Sequence, residues 1–164
     1  MRLETYRTLL DKMDAHPTVA QWIGRANLLI TVAAYIAYPA LVLFLLFTRD
    51  PRVLRVLLTA AVSFVLVTLL RYFVHAPRPY EVLSRTGAIH KSKKGSSFPS
   101  RHVFSIFVIA MTFIYICLPL GIVFLLLGAV LAVLRVVGGV HFIKDVVAGS
   151  LIGIVSGVLG LYIF

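Results

Sequence analysis

The stretch VFSIFVIAMTFIYICLPLGIVFLLLGAVLAVL, residues 103–134, carries no charge at all. As one helix rising about 1.5 Å per residue it would be ~48 Å long, well beyond the roughly 30 Å hydrocarbon core of a bilayer. Pro119-Leu120-Gly121 lies in its middle and predicts a tight turn. The stretch then reads as two short antiparallel helices whose outer ends return to one membrane face. Without the turn, the polar residues after it would lie on the face opposite those before it, and no shared site could form.

Working outward, Ala26 to Thr48 is a first uncharged run long enough to span, with Pro39 inside it. Arg49-Asp50-Pro51-Arg52 reads as a turn, and Val53 to Val74 as a second span in which Arg55 and Arg71 snorkel to the interfaces. His75 to Arg101 is the one long polar stretch, and a loop of this length in a compact membrane domain is usually functional. The last segment, from Val146 to Phe164, carries Gly149, Gly153 and Gly157 at four-residue spacing, a close-packing face for a neighbouring helix.

The expected fold is an all-α membrane protein: about five transmembrane helices in a bundle, forming one integral membrane domain over residues 1–164. Residues 26–164 form its transmembrane core. In residues 1–25, Leu3, Tyr6, Leu10 and Met13 recur at helical spacing. They predict an amphipathic surface helix, with a polar helix packed on the protein as the other reading.

Composition agrees with the membrane reading. Hydrophobic residues make up 60% of the chain and charged residues 13%, against about 25% charged in soluble domains. Mean hydropathy is +1.00. The net charge of +10 suits anionic lipid headgroups or a phosphorylated substrate. Nucleic acid is not expected as a partner, because the basic residues lie in loops between apolar runs. Cys117 is the only cysteine, so no disulfide forms within the chain; its place in an apolar run predicts a buried, inert thiol.

Three polar clusters stand at the mouths of the apolar segments: Arg71 with Arg78-Pro79, Pro99-Ser100-Arg101-His102, and Arg135 with Gly138-Gly139, His141 and Asp145. Charge near a bilayer is expensive and marks function. The acids number 6 in the whole chain, Glu4, Asp11, Asp14, Asp50, Glu81 and Asp145, and no two make a carboxylate pair for two-metal chemistry. No metal and no cofactor is expected.

What is present suits phosphoryl transfer without a metal. Arg71, Arg78 and Arg135 can bind phosphate oxygens in bidentate fashion. Ser100 precedes a helix N-terminus, where it can cap the helix, donate to phosphate, or both. His141 and Asp145 share a face if helical, so the carboxylate can hold one imidazole nitrogen and leave the other free to attack phosphorus. His102 is a candidate general acid for the leaving group, with a capped interfacial histidine as the alternative.

These clusters resemble the three-part signature of the type 2 phosphatidic acid phosphatase superfamily of integral membrane lipid phosphatases: Lys-x6-Arg-Pro, Pro-Ser-Gly-His, and Ser-Arg-x5-His-x3-Asp. Here they read Arg71-x6-Arg78-Pro79, Pro99-Ser100-Arg101-His102 and Leu134-Arg135-x5-His141-x3-Asp145, with order and spacing matching over residues 71–145. The resemblance implies a helical-bundle core, metal-free catalysis and a phosphohistidine intermediate. His141 would be the nucleophile, Asp145 its orienting partner and His102 the leaving-group acid, while Arg71, Arg78, Ser100 and Arg135 would hold the phosphate. Three positions depart from the signature. Arg71 replaces lysine, Leu134 replaces serine with the loss of a hydrogen bond, and Arg101 replaces glycine, which either crowds the site or adds a fourth phosphate-binding cation. The chain also has one helix fewer than six-span members.

The leading function is therefore hydrolysis of a lipid phosphomonoester or diphosphate: phosphatidate, phosphatidylglycerol phosphate or a polyprenyl diphosphate. The alternatives are a lipid phosphotransferase, which passes the phosphoryl group from His141 to an acceptor other than water, and a phospholipid-binding protein with a degenerate site. The expected setting is a bacterial cell membrane, with the site facing outward as the resemblance implies. Composition does not set the oligomeric state.

Overall fold

The computed structural model describes residues 3–83, 88–89 and 95–164. The basic group Lys91, Lys93 and Lys94, with His90, lies outside the described residues. The chain runs through α1 (Leu3–Ala15), α2 (Pro17–Phe47), α3 (Arg52–Val74), the short α4 (Pro79–Val82), α5 (Arg101–Ile116), α6 (Leu118–Val137) and α7 (Ile143–Val158), which ends in a π-helical turn, Leu159–Ile163. Among the described residues, four helical segments are long and apolar enough to cross a membrane. The fifth, α5, is shorter at 16 residues and forms the axis of the bundle.

The turn that decides the topology is present, displaced by two residues. The chain breaks at Cys117, whose backbone is extended at φ −147° and ψ 94°, and Pro119 lies in the first turn of α6. Proline is tolerated there because the first N–H groups of a helix have no intrahelical acceptor. Gly121 then lets α6 fold back against α5: a Cβ at this position would collide with the Ile114 backbone nitrogen. Cys117 is partly exposed at this break instead of buried within a run.

A lipid-facing helix must be apolar outside and a central one apolar all round. Every residue of α5 from Val103 to Phe113 is buried, whereas α2 and α3 expose Leu29, Ile36, Leu66 and Phe73. A short α5 is possible because α6 and α7, its main neighbours, cover it from lipid. Leaving water does not drive helix association within a bilayer; close van der Waals contact does. The Gly149, Gly153, Gly157 stripe supplies that contact inside the monomer. A Cβ on Gly149 would come within 2.7 Å of the Ser100 carbonyl oxygen, and one on Gly153 within 2.8 Å of the Phe104 oxygen and Phe107 Cβ. Gly153→Ala is therefore expected to destabilise the bundle by about 1–3 kcal/mol through overpacking. Thermal unfolding in detergent checks this, and an unchanged midpoint would refute it.

The surface helix is shorter than residues 1–25. It ends at Ala15, and Pro17 opens α2, which continues through Pro39 to Phe47. Helix α1 also does more than lie on a surface. Tyr6 and Leu10 are buried, and the Tyr6 hydroxyl lies 2.6 Å from the carbonyl oxygens of both Val136 and His141. Its ring packs on Phe142 at 5.5 Å. The phenol pKa is raised, first by burial and then by the Asp145 charge, so the hydroxyl stays a donor. The first helix is thereby tied to the segment that carries His141.

Candidate active site

The three clusters meet at one end of the bundle because α3 ends there, α5 begins there, and the α6–α7 connection returns there. Arg71 closes the last turn of α3, and His75 ends that helix in a left-handed conformation, φ 41°. The Arg71 guanidinium does not point into open space. It donates to the carbonyl oxygens of Ser96, Ser97 and Pro99, pinning the turn that leads into α5. Arg78 precedes α4 and donates to the carbonyls of Gly95 at 3.2 Å and Val140 at 3.5 Å. Glu81 anchors the same turn, accepting the N–H groups of Arg78 at 3.1 Å and Gly95 at 2.8 Å.

The second and third clusters are joined through backbone. The Ser100 N–H donates to the Asp145 carbonyl at 2.8 Å. Ser100 does not cap α5 with its side chain; its hydroxyl is buried and has no partner among the described residues. Helix α6 ends at Gly138, and Gly139 takes φ 78°, a conformation that glycine adopts without a Cβ penalty. This reversal lets the N–H groups of Val140 and His141 both donate to the Arg135 carbonyl at 3.2 Å, placing His141 beside the end of α6.

His141 is 2% exposed. Its Nδ1 lies 3.5 Å from Asp145 Oδ2 and 3.3 Å from Ser97 Oγ. Ser97 in turn donates to the same Asp145 oxygen at 2.5 Å, and the Phe142 N–H donates to it at 3.0 Å. The carboxylate is thus held by two donors and faces Nδ1, which leaves Nε2 as the ring nitrogen without a partner among the described residues. Ser97 carries no motif of its own in the sequence, and the structure adds it to the group. Burial pushes the His141 pKa down to about 4; the Asp145 hydrogen bond opposes this, and the Arg78 and Arg135 charges add to it. A neutral imidazole is the form that can attack as a nucleophile.

The depression has a consequence for pH. Between pH 4 and 6.5 the unfolded chain binds more protons than the folded one at this residue, so stability rises with pH across that window. The unfolding temperature is expected to fall as pH drops from 6.5 towards 4. His141→Gln should flatten that slope, and an identical slope in the variant would contradict the assignment.

Arg135 is 1% exposed, and its Nε and Nη1 have no hydrogen-bond partner among the described residues. A buried cation with idle donors is costly unless an anion completes it. A polar cavity of about 240 Å³ opens nearby, lined by Arg71, Arg78, Ser96, Arg101, His102 and His141. The structure therefore brings Arg71, Arg78, Arg101, His102 and His141 to one cavity. Ser100, Arg135 and Asp145 are buried outside its lining. Such an arrangement can bind a phosphate dianion and present a neutral imidazole to it. Among the described residues, no three His, Cys, Asp or Glu side chains converge as metal ligands.

Residues 52–164 match the PAP2 superfamily. The chain belongs to that superfamily. It is accordingly an integral membrane enzyme, a phosphoric ester hydrolase, and a lipid phosphatase. Among solved structures, Aquifex aeolicus LpxE is similar at 28% identity and a TM-score of 0.74, over 97% of this chain and 93% of that one. The first transmembrane PAP2 type phosphatidylglycerolphosphate phosphatase from Bacillus subtilis shares the fold at 20% identity and a TM-score of 0.61, over 95% and 90% of the two chains. No curated protein matches the sequence. The PAP2 match begins at Arg52, so α1 and α2 lie outside it. Two contacts at the site come from those helices: the Tyr6 hydroxyl on the His141 carbonyl, and the Tyr35 ring stacked on His102 at 6.3 Å. Neither was legible from motif spacing.

Proposed function

We propose that this PAP2 protein hydrolyses a lipid phosphomonoester or diphosphate without a metal, through a phosphohistidine on His141. The observation that carries the proposal is the Asp145–Ser97–His141 arrangement, which engages Nδ1 and leaves Nε2 as the attacking nitrogen in a cavity lined by cations. In the first step the Nε2 lone pair forms a bond to phosphorus and the bond to the leaving oxygen breaks. His102 gives that oxygen a proton. Nδ1 keeps its proton, and Asp145 stabilises the resulting imidazolium. In the second step water attacks phosphorus, His102 takes its proton, the N–P bond breaks and inorganic phosphate leaves. Arg78, which lines the cavity, holds the phosphoryl oxygens as charge redistributes, and Arg135 and Ser100, buried behind the lining, supply further charge and donors. Arg71 adds charge and maintains the turn before α5.

A groove of about 600 Å³ runs between α2, α3 and α5, lined by apolar side chains that include Tyr38, Leu57, Phe64 and Phe104. It shares Arg101 with the polar cavity. A hydrocarbon chain fits this groove while its phosphate reaches the arginines, which supports a lipid as substrate over a soluble phosphate. A panel of phosphatidate, phosphatidylglycerol phosphate and a polyprenyl diphosphate in detergent with EDTA tests the reading. Phosphate release from at least one is expected; loss of all release on adding EDTA would exclude the metal-free mechanism.

A further inference from the structure

Arg101 stands where the family signature has glycine, and nothing in the two-step reaction requires it. It is the first residue of α5 and lines both the polar cavity and the apolar groove. Its guanidinium lies over the Phe64 ring at 5.6 Å on the groove side, and no carboxylate among the described residues pairs with it. The next residue, His102, lines the cavity and stacks on Tyr35, which lines the groove. Groove and cavity therefore meet at Arg101–Phe64 and at His102–Tyr35. If hydrocarbon lies in the groove and the transferred phosphoryl group lies against His141, this junction is where the leaving group sits.

The chemistry of that position separates two substrate classes. A monoester leaves as an alkoxide, whose conjugate acid is about as weak as water. It must be protonated as it departs, which is the work assigned to His102. A lipid diphosphate leaves as a lipid monophosphate, whose second pKa is roughly 6. It departs without a proton, and it carries negative charge into the junction. That charge calls for a cation, and a guanidinium, always protonated and matched to phosphate in bidentate geometry, supplies one.

Resting on the phosphatase reading above, we propose that Arg101 is a specificity-determining residue that binds the leaving phosphate of a lipid diphosphate. In that reaction His141 Nε2 bonds to the terminal phosphorus, the bond from that phosphorus to the bridging oxygen breaks, and the electron pair goes to the lipid monophosphate held by Arg101. Water then cleaves the phosphohistidine as before.

The test compares kcat/KM for a polyprenyl diphosphate and the polyprenyl monophosphate of the same chain, using purified protein in detergent. In Arg101→Gly and Arg101→Gln the diphosphate-to-monophosphate ratio is expected to fall about tenfold or more, the worth of a charge-assisted hydrogen bond. Arg101→Lys should restore part of it. His102→Gln should move the ratio the other way. Because a ratio does not depend on the fraction of folded protein, a poorly folding variant still gives an answer. A ratio that stays constant or rises in Arg101→Gly and Arg101→Gln overturns the inference. Turnover of phosphatidate or the monophosphate with none of the diphosphate also overturns it, and leaves the phosphatase reading standing. Absence of phosphate release from every lipid sinks that reading, and the role of Arg101 with it.

Discussion

His141→Ala is expected to lower phosphate release by a factor on the order of 10⁴ or more, to the background of phosphate binding alone. The residue is 2% exposed, and its Nδ1 faces Ser97 and Asp145, so no second imidazole can take its place without rebuilding the α6–α7 connection. His102 is on a different helix, stacked on Tyr35, and in the proposed reaction it serves the leaving group instead. The same variant separates covalent from direct water attack. Wild-type protein quenched during turnover of a ³²P-labelled lipid should carry label that survives alkali and is lost in acid, as a phosphoramidate does, and His141→Ala should carry none. Undiminished label in the variant would place the intermediate elsewhere. A variant that keeps a tenth of wild-type activity would mean that water attacks phosphorus directly.

Asp145→Asn is expected to reduce kcat by a factor on the order of 10³ to 10⁴ with little change in KM. Asp145 is fully buried. Its Oδ2 accepts from Ser97 at 2.5 Å and from the Phe142 N–H at 3.0 Å. An asparagine can keep both contacts only by placing its carbonyl oxygen there. Its amide nitrogen then occupies the position of Oδ1, which has no partner among the described residues, leaving a buried donor unsatisfied at a cost of about 1–3 kcal/mol. The neutral amide also cannot balance the positive charge that His141 would acquire in the proposed phosphohistidine step. Loss is therefore expected on the chemical step and not on phosphate binding, which the proposal assigns to the arginines. Steady-state kinetics on a substrate cleaved by the wild type decides this: a rise in KM at constant kcat would show that Asp145 organises the phosphate pocket instead.

Much of the site is legible in the sequence, for a local reason. Arg135, His141 and Asp145 lie within one short connection, so their spacing nearly dictates which of them can touch. The uncharged run with Pro119 fixes that this connection returns to the face where α5 begins, beside His102. The break itself falls at Cys117 because proline fits within the first turn of a helix as well as before it, an ambiguity that sequence alone does not resolve. Ser97 is the contrasting case. It meets His141 and Asp145 across sequence separations of 44 and 48 residues, and a serine in a Lys-Gly-Ser-Ser-Phe stretch gives no sign of such a contact. Tyr6 and Tyr35 are similar: each reads as part of an apolar helix face, and only docking against other helices shows what its ring or hydroxyl meets.

Arg71 and Arg101 exchange the emphasis that their positions suggest. Arg71 fits the phosphate-binding pattern, yet three carbonyls of the turn before α5 already take its donors. Arg101 departs from the pattern, yet it alone of the described arginines lines both the cavity and the groove. Side-chain length explains the difference. A guanidinium reaches several ångströms from its Cα, so its partner is set by whichever helix stands within that radius.

By itself the sequence determined that this chain lives in a bilayer, that it turns back near Pro119, and that three polar clusters share one membrane face. Hydrophobic run length and motif spacing are properties of neighbouring residues and need no tertiary information. Only the tertiary structure decided that Ser97 joins Asp145 to His141, that Arg135 is buried with donors unpartnered among the described residues, and that the apolar groove opens onto the polar cavity at Arg101. Those features depend on how α2, α3, α5, α6 and α7 pack side by side, where a helix rotation of a few tens of degrees would exchange one partner for another while leaving every motif unchanged.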